Sequence, residues 1–153
     1  MKKINNNIPR GIRNNNPLNI ERSKSKWQGL AEHQRDPRFA QFKSMTWGIR
    51  AAFKTLQSYR TKHGCNSLRQ FINRWCPPTE KGNDTKGYIE FVSRLSDVNA
   101  DVWLPSPRSS ESLWCSIVDS MIRVECGRPV AKEIIHSVVT QIQCTLSCRC
   151  PSP

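Results

Sequence analysis

Pro9-Arg10-Gly11-Ile12-Arg13-Asn14-Asn15-Asn16-Pro17-Leu18-Asn19-Ile20, followed by Trp27-Gln28-Gly29, decides how the chain is organised. A helix interior does not take a Pro-Arg-Gly opening and a second proline, and a half-buried strand does not take three consecutive asparagines. Asparagine side chains hydrogen-bond to nearby backbone and tolerate left-handed dihedrals. The stretch therefore reads as a shaped loop rich in amide donors and acceptors. It suits a hydroxyl-dense ligand such as a sugar, or it is a turn-rich surface loop. Trp27, set in the same polar region, is a candidate stacking surface.

Outward from the loop, irregular structure is expected to about residue 45, with one short strand or turn at Phe39-Ala40-Gln41-Phe42. Helical periodicity then begins. Ile49, Ala52, Phe53, Leu56 and Tyr59 fall on one face of a helix that ends before Gly64. Ser67, with Gln70 three residues later, opens a second helix as a capping box; Leu68, Phe71, Ile72 and Trp75 form its apolar stripe, and Pro77-Pro78 stops it. A third starts at Asp84 or Thr85 and is expected to bury Tyr88, Phe91, Val92 and Leu95, with Gly87 weakening its first turn. A fourth runs from Ser110 to about Glu125 with Trp114, Ile117, Val118 and Met121 inward, and Gly127 and Pro129 are its stop signals. A fifth, Ala131 to about Gln143, buries Ile134, Ile135, Val138 and Ile142. The expectation is a mainly α protein with one domain over 1–143, irregular over 1–45 and helical over 46–143. The irregular front forms one wall of a cleft, and an irregular Cys- and Pro-rich tail follows over 144–153.

With 24 Lys and Arg against 12 acids, the net charge is +12. That calls for a polyanionic partner, and nucleic acid, anionic wall polymers and lipopolysaccharide phosphates all qualify. No helix is markedly basic along one face, so sequence-specific DNA binding fits poorly. No apolar run is long enough to span a membrane, and Met1-Lys2-Lys3-Ile4 does not lead into the apolar core of a signal peptide. Of the seven cysteines, Cys65, Cys76, Cys115 and Cys126 lie in the helical body and read as reduced thiols. Cys144, Cys148 and Cys150, even with His136, match no standard zinc spacing, so no metal is expected. His33, His63 and His136 lack a nucleophile at a recognisable spacing. No phosphate loop or dinucleotide fingerprint appears, so no cofactor is expected.

Read in order, the loop is followed by Asp36-Pro37-Arg38-Phe39-Ala40-Gln41-Phe42, Trp47-Gly48-Ile49-Arg50-Ala51-Ala52, Ile72-Asn73-Arg74-Trp75, Tyr88-Ile89-Glu90-Phe91-Val92 and Met121-Ile122-Arg123-Val124-Glu125-Cys126-Gly127. From about Pro9 to about Ile135 this order resembles a family of small phage and prophage virion proteins similar to peptidoglycan-cleaving enzymes of the lysozyme and lytic transglycosylase type. The resemblance implies a lysozyme-like helical fold and activity on the glycan strands of bacterial peptidoglycan. It also implies other virion proteins as partners, and a place in the virion, or in the bacterial cytoplasm before release, with action at the cell wall. A non-catalytic virion protein that binds wall polymer or nucleic acid through a basic surface is the competing expectation.

Glycan cleavage needs a proton donor at the glycosidic oxygen, a carboxylic acid with a raised pKa. Hydrolases add a second carboxylate, whereas lytic transglycosylases manage with one. Glu125 is the first candidate: it continues the apolar stripe of Met121, Val118 and Trp114 at the last turn of its helix, where apolar surroundings and the helix dipole both raise a carboxyl pKa. Arg123 and Arg128 would oppose that shift if they reached it. In the lysozyme-like enzymes a catalytic Glu commonly ends a helix and is followed by a small residue and Gly, which Glu125-Cys126-Gly127 resembles, with Cys126 where Asn or Ser is expected. There the Glu precedes the Asn-rich loop and here it follows, an order that a circular permutation would reconcile. Glu80 is the second candidate, as second acid, substrate anchor or helix-start partner. Its loop resembles a cleft-wall segment that leads into Tyr88, with Lys81-Gly82 as an insertion. Glu21 follows the loop among Arg22, Lys24 and Lys26 and reads as an ion-pair member. Asn15, Asn16, Asn19, Trp27 and Tyr88 complete the site as candidate glycan-binding residues.

Overall fold

The computed structural model describes residues 7–147, in six helices. They are α1 Arg10–Arg13, α2 Met45–His63, α3 Leu68–Trp75, α4 Thr85–Ser96, α5 Glu111–Cys126 and α6 Lys132–Ser147. Pairing between extended runs, among the described residues, is limited to two isolated bridges, Glu21 with Phe39 and Leu30 with Phe42. The fold is mainly α, with an irregular N-terminal front, as expected.

Local chemistry sets the helix ends. The Ser67 hydroxyl accepts from Gln70 N at 3.3 Å, and the Gln70 side chain reaches back to Asn66 N at 2.8 Å, a reciprocal cap shifted by one residue. Asp84 caps α4 by accepting from Gly87 N at 3.0 Å. Gly87 has a reason beyond flexibility, because a Cβ there would lie 2.2 Å from Asp84 Oδ2. Gly127 ends α5 in the left-handed region at φ 69°.

Helix α5 is the hub. It packs against α1, α4 and α6, so it is buried on more than one side, and Cys115, Ile122 and Cys126 join Trp114, Ile117, Val118 and Met121 in the core. Trp114 meets Phe71 edge-to-face at 5.0 Å between ring centroids, and its indole N–H donates to Pro105 O at 2.9 Å. Leu18, from the Asn-rich loop, is 1% exposed in the same core. A smaller apolar cluster, Ala40, Phe42 and Ala51 with Trp27, Leu30 and Trp47 against it, lies under the irregular front.

Three expectations are corrected. Arg10–Arg13 forms one helical turn inside the stretch read as irregular; Pro9 stands before it, where its missing N–H costs nothing. Leu95 is 47% exposed and Phe91 half-buried, whereas Ile89 is buried. Helix α4 touches both α3 and α5, and the stripe Thr85, Tyr88, Ile89, Val92 faces them. Helix α6 continues through Cys144 to Ser147, since no Gly or Pro interrupts it at Gln143. Cys148 and Cys150, like Lys2 and Lys3, lie outside the described residues.

The tightest backbone approach is at Gly48, where a Cβ would lie 1.8 Å from Asn15 O. Gly48→Ala should therefore destabilise the protein by about 3 kcal/mol or more, because the Cβ, fixed on its helix, meets the backbone of Asn15. Gly64→Ala, at φ 65° with nothing within 4 Å, should cost only about 1 kcal/mol of backbone strain. Chemical denaturation of the two variants checks this ranking.

Candidate active site

The Asn-rich loop is held by its own amides. Asn15 and Asn19 adopt φ 51° and 52°, the left-handed conformation that asparagine tolerates best after glycine. Asn16 is fully buried; its amide donates to Ile20 O at 2.9 Å and Ala40 O at 2.8 Å while its oxygen accepts from Ile20 N at 2.9 Å. Asn15 donates to Phe42 O at 3.1 Å. Asp36 closes the loop from outside. It accepts from Arg10 Nε and Nη2 at 2.7 Å, Asn14 Nδ2 at 2.9 Å, and the backbone N–H groups of Arg38 and Phe39 at 2.9 Å. The Arg10 pair, ahead of the other donors, holds the Asp36 carboxyl far below the usual carboxylate range.

The loop forms one side of a cleft of about 890 Å³, a size typical of ligand-binding clefts. Leu18, Asn19, Ile20, Arg38 and Phe39 line it on that side; Arg74, Trp75, Glu80, Asp84, Tyr88 and Glu125 line it from the helices and the α3–α4 loop. Glu125 lies at the last turn of α5. Asn19 Nδ2 donates to its Oε2 at 2.9 Å, and the Tyr88 hydroxyl donates to its Oε1 at 3.2 Å. Burial pushes the Glu125 carboxyl above its ordinary value, while Asn19, Tyr88 and the Trp75 indole pull the other way without cancelling it. Burial and the neighbouring Glu125 charge push the Tyr88 phenol well above its ordinary range, so Tyr88 is a hydrogen-bond donor here and stays protonated. Arg123 does not oppose the Glu125 shift: it pairs with Asp119, one turn earlier, at 3.1 Å.

The arrangement separates the sequence candidates. Glu125, Asn19, Tyr88, Glu80 and Glu21 line one cleft. Glu80 is exposed on its loop, with Asn83 Nδ2 at 3.5 Å, and Glu21 is exposed and paired with Arg38 at 2.7 Å. Asn15 and Asn16 do not line the cleft, because their amides are spent on backbone carbonyls that shape the loop. Trp27 does not line it either and packs half-buried against the small cluster of Ala40, Phe42 and Ala51. Asn19, expected to touch ligand, lines the cleft and also donates to Glu125.

Sequence reasoning missed Trp75, Arg74 and Arg38 as cleft residues, and Asp36 as the loop's staple. The signal for Asp36 was the Asp36-Pro37-Arg38 segment itself, since Asp before Pro marks a turn that ties up backbone donors. Cys126 is buried, and its thiol donates to Pro17 O at 3.2 Å, which seats the end of α5 on the loop.

No protein-family model matches the chain. Over 125 residues it is 36% identical to "Protein P5" of Pseudoalteromonas phage PM2, an alignment that covers 80% of this chain and 74% of that protein. The chain belongs to the family of that phage protein. No helix among the described residues is long and apolar enough to cross a membrane.

Glu125 makes a testable thermodynamic contribution. Its carboxyl binds a proton more tightly folded than unfolded, so the stability it adds is fully present below the unfolded pKa and is lost as pH rises through the raised folded value. Thermal midpoints of the parent and Glu125→Gln, taken from about pH 4 to about pH 7, should shift in favour of the Gln variant as pH rises. A gap that is flat with pH would place the carboxyl in water.

Proposed function

We propose that this phage-family protein cleaves the glycan strands of bacterial peptidoglycan, with Glu125 as general acid. The observation that carries the reading is a single half-buried carboxyl on a large open cleft, raised in pKa by desolvation and oriented at both oxygens by Asn19 and Tyr88. A proton donor of this kind is what an ether-type glycosidic oxygen requires, since sugar oxygens are poor leaving groups unless protonated as the bond breaks. The lysozyme-like resemblance around Glu125-Cys126-Gly127 and the Asn-rich loop supports the same substrate. The two elements lie far apart in sequence but are joined by the Asn19–Glu125 hydrogen bond.

In this reading the protonated Glu125 donates to the leaving oxygen as positive charge develops at the anomeric carbon. Asn19 and Tyr88 keep the carboxyl in one orientation and then stabilise the carboxylate left behind. Trp75 lines the cleft with its indole directed at the acid, and Glu80, exposed on its loop, contacts substrate and does not act as the proton donor. The virion is the proposed place of residence, and the wall the place of action.

Glu125→Gln keeps the volume and the hydrogen bonds but cannot donate the proton, so turnover of purified sacculi should fall by about 10²- to 10⁴-fold with the fold intact. Glu80→Gln should lose less and mainly in binding. Mass spectrometry of the products identifies the chemistry: anhydro-muramyl ends mean transglycosylation, reducing muramic ends mean hydrolysis, and neither product removes the enzymatic reading. The reverse ranking of the two variants moves the acid to the α3–α4 loop.

The pH profile gives an independent check. Because the protonated form acts, activity should fall on the alkaline side as pH rises through the raised Glu125 value. Asn19→Ala removes a donor that favours the carboxylate, so that limb should move to higher pH even as the overall rate drops. A limb that does not move assigns the titration to another group.

A further inference from the structure

Charge is divided unevenly along the chain. Residues 1–75 carry 16 of the 24 Lys and Arg and only 3 of the 12 acids, a net of +13, and the remainder is at −1. Part of that excess is gathered in one small lobe. Residues 20–43 fold back on themselves through Arg22 N to Arg38 O at 2.8 Å, Ala40 N to Ile20 O at 2.9 Å, Ala31 N to Gln41 O at 2.9 Å and Lys43 N to Gly29 O at 2.8 Å. Arg22, Lys24, Lys26, Arg35, Arg38 and Lys43 are all exposed on it.

Two of the lobe's three acids are already engaged. Asp36 is held by Arg10 and Glu21 by Arg38, which leaves Glu32. Lys24, Lys26, Arg35 and Lys43 make no ion pair among the described residues. A cationic surface with two of its three acids already engaged is set up to hold an external polyanion. Glu21 and Arg38 also line the cleft, so the lobe begins at the cleft's edge.

The lobe lacks what nucleic-acid recognition uses. It contains no helix to enter a groove, Trp27 is half-buried against its neighbours, and Phe39 is covered by the guanidinium groups of Arg10 and Arg38 at 4.6 and 5.0 Å from the ring centroid. We propose that this lobe is a second, non-catalytic binding surface for the carboxylate-bearing part of the wall polymer that runs out of the cleft. The proposal rests on the glycan reading of the cleft for its choice of polymer. The lobe's charge and its position beside the cleft stand independently of that reading.

The test uses the full chain with Glu125→Gln, so that binding is measured without cleavage, and adds Lys24→Ser, Lys26→Ser, Arg35→Ser and Lys43→Ser together. The probes are purified sacculi, the same sacculi with their carboxyl groups amidated, and a short DNA duplex. On native sacculi at low salt the combined variant should bind about tenfold more weakly, the sum of four modest exposed contacts. That difference should vanish at high salt and on amidated sacculi. A second set that preserves charge, Lys24→Arg, Lys26→Arg, Arg35→Lys and Lys43→Arg, should restore binding, which separates loss of charge from loss of fold.

Equal binding of parent and Ser variant to native sacculi overturns the proposal. Binding indifferent to amidation overturns it as well, and a loss confined to the DNA probe overturns it and assigns the lobe to nucleic acid. Product analysis of the protein with native Glu125 runs in parallel. Absence of cleavage alongside amidation-sensitive, lobe-dependent binding removes the catalytic reading and leaves the lobe. Cleavage with lobe-independent binding does the opposite.

Discussion

The end of helix α5 rests directly on the backbone of the Asn-rich loop, and the cleft depends on that contact. Gly11 is open to no other residue: a Cβ would lie 2.8 Å from Asn16 O, 3.0 Å from Cys126 Sγ and 3.1 Å from Asn19 Oδ1. The Cys126 thiol closes the same junction by donating to Pro17 O at 3.2 Å. With loop and helix in this register, Asn19 reaches Glu125 across 106 residues of sequence. A larger residue at Gly11 or Cys126 would lift the loop and take the Asn19 amide away from the carboxyl. The small residue between Glu125 and Gly127 is therefore a packing requirement, which a thiol meets as well as a short polar side chain.

Two acids illustrate how environment divides one functional group into two roles. Asp36, its side chain only 9% exposed, is kept ionised by a guanidinium and several N–H groups, and its fixed charge gathers Arg10, Asn14 and two backbone donors into one shape. Glu125 is half-buried with only neutral donors, so desolvation holds its proton more tightly than usual. The first is suited to structure and the second to proton donation. The separation is physical: it follows from a cation being present at one carboxyl and absent from the other, since Arg123, near in sequence, is drawn to Asp119.

The cleft also divides the molecule electrically. Its loop side belongs to the strongly basic part of the chain, and its far side carries Glu80, Asp84 and Glu125. Arg38 lines the loop side, and Arg74, on α3, lines the helix side. In the proposed reading, an extended polymer with anionic substituents meets the cationic lobe along one edge and Glu125 along the other.

Much of the architecture was decided locally. Apolar spacing from Ile49 to Tyr59, the Ser67 and Asp84 caps, the Pro77-Pro78 stop and the left-handed Gly127 each act within a few residues, so helix positions and ends were legible in the sequence, as was Glu125 as an acid on an apolar stripe. The run of asparagines announced a shaped loop for the same reason: amide side chains satisfy nearby backbone. What the loop's amides would face was not local. Asn15 and Asn16 turned inward to backbone carbonyls of residues 20, 40 and 42, Asn19 turned to Glu125, and Trp27 sought the apolar cluster beside Trp47. The Asp36 staple, the exposure of Leu95 and the pairing of Arg123 with Asp119 were decided likewise, by which elements came to lie against one another. Sequence spacing prescribes which residues share a face; only tertiary packing determines which face is covered and which polar group finds a partner far along the chain.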